Sequence, residues 1–167
     1  MTELTLYPAA DGSRYIPKVV KGDVVFKGGC RCGGVQYTSS VPPSDITLCH
    51  CRACQQVSGS GFLPFIHVPG EALKFTHSET RKVLRLSDVA ERTFCAGCGA
   101  PISMTYPSNP SEIGLVMATV DLESLTTETT PKVVKHIFLR EKAPWVVIPD
   151  DATAERWGTS EDAHLLA

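Results

Sequence analysis

Apolar residues come along this chain in short bursts rather than in long amphipathic stretches. VVF at 24–26, VQYT at 35–38, FLPFIHV at 62–68, LKFT at 73–76 and KVLRLS at 82–87 are rich in β-branched and aromatic residues. ISMTY at 102–106, IGLVMATV at 113–120, KHIFL at 135–139 and WVVI at 145–148 continue the series. Several of these runs alternate apolar with polar positions, as half-buried antiparallel strands do. Between them lie Gly, Pro, Ser and Asp; 13 glycines and 12 prolines supply the turns that many short strands need. Helical signals are sparse. RACQQVSG after Cys51 and DLESL at 121–125 each suit a turn or two, and no segment sustains a 3.6-residue apolar period. The pattern predicts a mainly β fold of antiparallel sheets with few short helices. Residues 1–21, with Pro8, Gly12 and Pro17, read as an N-terminal arm, 22–150 as one domain, and 151–167 as a polar C-terminal tail that can end in a short helix.

Composition narrows the class. A chain of 167 residues, 43% apolar and 20% charged, has the material for one core and is not generally disordered. The net charge of -2 and the lack of a basic stripe argue against a nucleic-acid partner. No apolar run approaches the roughly 20 residues that cross a bilayer, so no membrane partner is expected. The first residues, MTELTLYPAADGSRY, show no basic segment followed by an apolar one. They read as belonging to a cytoplasmic, reducing setting.

Seven cysteines change the picture more than any other residue type. An odd number cannot all pair internally, and a reducing compartment disfavours disulfides. They stand at Cys30 and Cys32, at Cys49, Cys51 and Cys54, and at Cys95 and Cys98, with none elsewhere. Such clustering is a metal-ligand pattern. Zinc takes thiolate sulfur at about 2.3 Å in a tetrahedron. Cys95-Ala-Gly-Cys98-Gly99 has the spacing of a tight ligand turn, and Cys30-Arg-Cys32 places its side chains on one face if the backbone is extended. Each pair is half of a closed four-cysteine site. Cys49, Cys51 and Cys54 can meet one metal unaided and leave a fourth position open, the arrangement of a catalytic rather than a structural zinc. Two zinc ions per chain follow from this split.

The alternative is a histidine that closes the trio and makes it inert. His50 lies between two ligands and is poorly placed for this; His67, His77, His136 and His164 are open candidates. A zinc with three thiolates is a weaker acid towards water than one with three histidines, but softer, and suits a fourth sulfur. The expected chemistry is addition of a small-molecule thiol to an electrophile such as an aldehyde, or cleavage of the carbon–sulfur bond so formed. Hydrolysis ranks second.

GGCRCGGVQY (28–37), LCHCRACQQVSG (48–59), RTFCAGCGAPIS (92–103) and HIFLREKAPW (136–145) together resemble, in order and spacing, the glutathione-dependent formaldehyde-activating enzyme family, which shares its domain with centromere protein V. The resemblance runs from about residue 26 to about 150 and covers all seven cysteines. It implies an Mss4-like, or β-tent, architecture of antiparallel sheets around zinc. It also implies that Cys30, Cys32, Cys95 and Cys98 form the structural site and that Cys49, Cys51 and Cys54 act on substrate. The implied activity is a carbon–sulfur lyase joining formaldehyde to glutathione, with glutathione as co-substrate. The centromere relationship permits a second reading, a non-catalytic interaction module, although the chain shows no basic extension. Exposed thiolates permit a third, zinc storage or redox sensing.

Other residues carry paired readings. Arg52 and Arg92 can neutralise a thiolate cluster, hold a substrate carboxylate, or be solvated. Ser58-Gly59-Ser60-Gly61 can cradle an anion or simply turn the chain, Trp145 reads as a packing or lid residue, and Pro101 as fixing the exit of the second cysteine turn. Loops 55–65 and 107–113 can shape a cleft. The sequence leaves the oligomeric state open.

Overall fold

The computed structural model describes residues 23–150 and 153–160. The arm at 1–21 and the helix expected at the end of the tail lie outside them.

The chain forms a three-stranded sheet and an eight-stranded sheet. The small sheet joins β1 (Phe26–Gly29), β2 (Gln36–Ser39) and β5 (Leu73–His77), all antiparallel. The large sheet takes in β3 (Ile46–Cys49), β4 (Leu63–Pro69), β6 (Arg81–Arg85), β7 (Glu91–Cys95), β8 (Pro101–Tyr106), β9 (Asn109–Val116), β10 (Val133–Ile137) and β11 (Glu155–Arg156). Its order is β11-β10-β3-β4-β9-β8-β7-β6. Pairing departs from the all-antiparallel expectation at one edge: β10 runs parallel to both β3 and β11. The long connection from β9 to β10 makes this possible, since parallel neighbours need a crossover. One helix, α1 (Arg52–Ser58), follows β3, and DLESL forms a short 3-10 turn over Leu122–Ser124.

Most of the apolar runs fall within strands, although VVF gives only Phe26 to β1 and IGLVMATV leaves β9 after Val116 for a 3-10 turn over Met117–Thr119. WVVI is not a strand: Trp145 is 70% and Val147 87% exposed, and Pro144 and Pro149 bracket the run. Part of the polar tail, by contrast, pairs as β11 alongside Lys135 and His136.

β4 shows how the large sheet is buried on both faces. Ile66 and Val68 point into a core with Phe26, Val35, Tyr37, Ile102 and Leu115, where the small sheet covers the large one. Leu63 and Phe65 alternate to the other face and pack with Cys49, Cys54, Ala90, Met104, Val116 and Ile137. Two-sided burial is why this run is almost continuously apolar. At Gly28 a Cβ would lie 2.4 Å from the carbonyl oxygen of Thr119, in the 3-10 turn that follows β9, and 2.5 Å from the Tyr37 ring on the neighbouring strand β2, so only glycine fits.

Candidate functional site

The seven cysteines assemble as two groups, Cys30, Cys32, Cys95 and Cys98 in one, Cys49, Cys51 and Cys54 in the other, with the sulfurs of each group within 4.8 Å of one another. Either group could hold a metal ion. Cys30 Sγ lies 3.5 Å from Cys32 Sγ, and Cys32 Sγ lies 3.5 Å from Cys95 Sγ. Tetrahedral zinc with bonds of about 2.3 Å needs sulfurs about 3.7 Å apart. The donor set and the spacing both fit.

The four-cysteine group sits where the two sheets meet. Cys30 follows β1, and Cys95 ends β7 with no exposed surface in the inter-sheet core. Cys30-Arg-Cys32 is a turn rather than extended backbone: the Gly33 amide returns to the Cys30 carbonyl at 3.2 Å, and Gly33 takes φ +79°. The Cys95–Cys98 turn closes by the Gly99 amide donating to the Cys95 carbonyl at 2.7 Å, and Pro101 opens β8 beyond it. Backbone and side-chain donors converge on the sulfurs, with the Val35 amide 3.2 Å from Cys30 Sγ and Thr80 Oγ1 3.0 Å from Cys95 Sγ. The Thr80 hydroxyl is the first cause that draws the Cys95 thiol down to about 6. Thr80 was invisible to motif reading because it lies outside every cysteine cluster.

The trio stands in the apolar cluster on the opposite face of the large sheet. Cys49 ends β3, Cys51 is the N-cap of α1, and Cys54 lies in its first turn with no exposed surface. The Cys54 amide donates to Cys51 Sγ at 3.4 Å, as an N-cap acceptor requires. Hydrogen bonds from the Cys49 and Cys54 thiols draw the Cys51 thiol down to about 2, and the Cys54 amide and Arg92 act in the same sense against burial. Cys49 is raised by the proton it shares with Cys51. The Cys49 bond lowers Cys54, but its bond to Cys51 and burial outweigh it and lift the thiol to about 11.

Among the described residues no histidine or carboxylate joins the trio. His67 faces Glu112 at 3.9 Å and His77 faces Glu79 at 3.7 Å, while His164 lies outside the described residues. His136 is turned to another task. Its Nδ1 lies 3.0 Å from His50 Nε2, with the rings stacked at 5.2 Å. His50, buried between two of the cysteines, is held near a pKa of about 4 by burial, then by His136 and Lys142. The HIFLREK segment thereby grips the cysteine loop. The Gln55 side-chain amide donates to the His50 and Glu141 carbonyls at 2.6 and 2.8 Å, and the Arg52 amide donates to Glu141 Oε2 at 2.7 Å. Gln55, Glu141 and the histidine pair were missed in the sequence because their partners are 86 and 89 residues away.

Cys51, Val89, Tyr106 and Phe138, all partly buried, pack against the cluster that holds the trio. Phe138 alone among non-glycine residues described has positive φ, at 59°, a conformation held only when the surroundings enforce it. Ser58 to Gly61 turn the chain: Ser58 Oγ donates to the Cys54 carbonyl at 2.8 Å and Gly59 caps α1 at φ 65°. Trp145 is no core residue. Arg52 is exposed, but Arg92 is buried beside Cys54.

A family model described as glutathione-dependent formaldehyde-activating enzyme matches residues 25–141. The chain belongs to this family. Within the span that defines the glutathione-dependent formaldehyde-activating family lie both cysteine groups and the 136–141 segment that grips the trio. A protein named as an uncharacterized lyase from Schizosaccharomyces pombe (strain 972 / ATCC 24843) is 25% identical over 81 residues, covering 48% of this chain and 58% of that protein. The chain thus spans less than two thirds of the length of this curated relative. The crystal structure of a Rhodobacter sphaeroides protein overlays with a TM-score of 0.49 at 20% identity, over 78% of this chain and 98% of that one. Among the described residues no helix is long and apolar enough to cross a membrane.

Proposed function

We propose that the protein is a zinc-dependent enzyme that adds a thiol to a small carbonyl compound, or reverses that addition, with formaldehyde and glutathione as the family's prototype substrates. The observation that carries this reading is the trio itself: three sulfurs within 4.8 Å of one another and no fourth donor from the described residues. Cys49, Cys51 and Cys54 would hold the catalytic ion, and Cys30, Cys32, Cys95 and Cys98 the structural one. Zinc bound by the trio would supply a soft Lewis acid with one position for an incoming sulfur.

The chain's own residues then do the rest. Cys51 accepts from the backbone amide of Cys54 at 3.4 Å, which would help hold its sulfur as thiolate. His50, His136 and Gln55 hold the cysteine loop in one geometry, the kind of support that fixes ligand orientation. Val89, Tyr106 and Phe138 pack against the apolar cluster that contains the trio and would limit water near the reacting carbon. In the forward direction the thiol sulfur bonds to the carbonyl carbon, the carbonyl electron pair moves to oxygen, and the thiol proton ends on that oxygen. The product is an S-hydroxyalkyl thioether, and the reverse step is a carbon–sulfur lyase reaction.

The test is turnover of formaldehyde with glutathione and a panel of other thiols, corrected for the spontaneous reaction. A rate above background that disappears in Cys54→Ala, with the fold retained, is expected. Undiminished turnover in that variant would overturn the assignment.

A further inference from the structure

Arg92 is a buried guanidinium with too few partners. It lies on β7 with 8% of its surface exposed, and its Nη2 is 3.9 Å from Cys54 Sγ. Its Nε is buried without a hydrogen-bond partner. The described residues contain one other such side-chain atom, His50 Nδ1, so both stand beside the trio. The strand neighbours of Arg92 in register are Leu84 and Met104, which offer no side-chain oxygen. The nearby hydroxyls of Thr93 and Ser103 satisfy each other at 2.7 Å. Arg85 and Arg156 pair with carboxylates; among the described residues, none pairs with Arg92.

Burying a guanidinium is costly unless it is compensated. The thiolates account for the charge, but not for the direction of the donors. A buried N–H left without an acceptor keeps its full desolvation cost, and a planar fork suits a carboxylate above other acceptors. The acceptor absent from the chain is one that a visiting molecule can bring. Resting on the reading of the trio as an open thiol site, we propose that Arg92 anchors the ligand, and that the favoured thiol carries a carboxylate close to its sulfur. With Cys54 Sγ 3.9 Å from the guanidinium and sulfurs on one metal about 3.7 Å apart, a thiol bound beside Cys54 can bring a carboxylate carried next to its sulfur within reach of Arg92. Without Arg92 the negative trio would repel such a ligand.

The test is calorimetric titration of the zinc-loaded full chain and of Arg92→Met with mercaptoacetate and with ethanethiol. The wild type is expected to bind mercaptoacetate about tenfold or more tightly than ethanethiol, the equivalent of one charged hydrogen bond. In Arg92→Met the preference vanishes while zinc content and ethanethiol affinity hold. If that variant fails to fold, Arg92→Gln takes its place, with the same loss expected. A preference that survives either substitution overturns the proposal. Equal binding of the two thiols by the wild type overturns it while leaving the open site standing. Binding of neither thiol overturns the open site, and the anchor with it. Zinc loss from the variants, with no thiol preference in the wild type, would make Arg92 a counter-charge only and also overturn it.

Discussion

Replacing Cys30 and Cys32 together by serine separates the roles of the two cysteine groups. A metal held by Cys30, Cys32, Cys95 and Cys98 ties the end of β1 to the end of β7, across 63 residues between Cys32 and Cys95. Cross-linking a loop of that length removes about 4 kcal/mol of unfolded-state entropy in the chain-closure account. That is a large share of the about 5–15 kcal/mol that stabilises an ordinary domain. For a chain of this size, about 1 kcal/mol shifts the melting temperature by roughly 2–4 °C, so the double variant should melt roughly 8–16 °C lower. Packing contributes little to this loss, since Cys32 is exposed, Cys30 only half-buried, and serine can still accept from the Val35 amide. The trio provides the contrast. Cys51 and Cys54 are three residues apart, so a metal there closes no long loop, and Cys51→Ser with Cys54→Ala should abolish turnover without the loop-closure loss. The assay is zinc content by mass spectrometry alongside thermal unfolding by circular dichroism. Each double variant should lose one of the two zinc ions. Equal melting losses in the two variants, or no loss in the first, would refute the division into a structural and a reactive site.

Tyr37→Phe removes the 2.8 Å hydrogen bond to Thr119 Oγ1 in the inter-sheet core and should cost about 1 kcal/mol in denaturant titration. Burial also raises the Tyr37 phenol to about 12, against the Thr119 bond. Its folded value lies above the unfolded one, so its contribution is complete below pH 10 and is lost as pH rises towards 12, on the order of 2–3 kcal/mol. Tyr37→Phe should flatten that alkaline decline; an unchanged slope would mean that another group sets it. Gly28→Ala should destabilise by about 3 kcal/mol, because the new methyl meets backbone as well as the Tyr37 ring. Near-wild-type melting would show that the turn at Met117–Thr119 and the Tyr37 ring can move away from β1 there.

Much of this architecture is written in local pattern. FLPFIHV becomes β4 with hardly a shift, because a run buried on both faces carries its own signal. Cysteine spacing likewise anticipates the two groups of sulfurs that the fold gathers, since cysteines one and two residues apart stay together whatever the tertiary fold. Three strands left no such trace. β3 is four residues that end inside a cysteine motif, β7 carries the polar Glu91, Arg92 and Thr93, and β11 is the charged pair Glu155 and Arg156. The buried Arg92 breaks the apolar period where the site needs a charge. WVVI misleads in the other sense, being apolar yet left without a partner strand. The parallel pairing of β10, its histidine contact with His50, and the Glu141 grip on α1 depend on long-range closure, which no short window of sequence encodes.

X-ray absorption at the zinc edge, on protein carrying two zinc ions, reports directly on the open position of the trio. Seven protein sulfurs shared by two tetrahedral ions give about 3.5 sulfurs per zinc, with a lighter donor completing the second site. Saturating glutathione should raise the mean to about 4 as its sulfur displaces that donor. A mean that stays near 3.5 with a nitrogen donor unmoved by any thiol, or one already near 4 before thiol is added, would contradict the account.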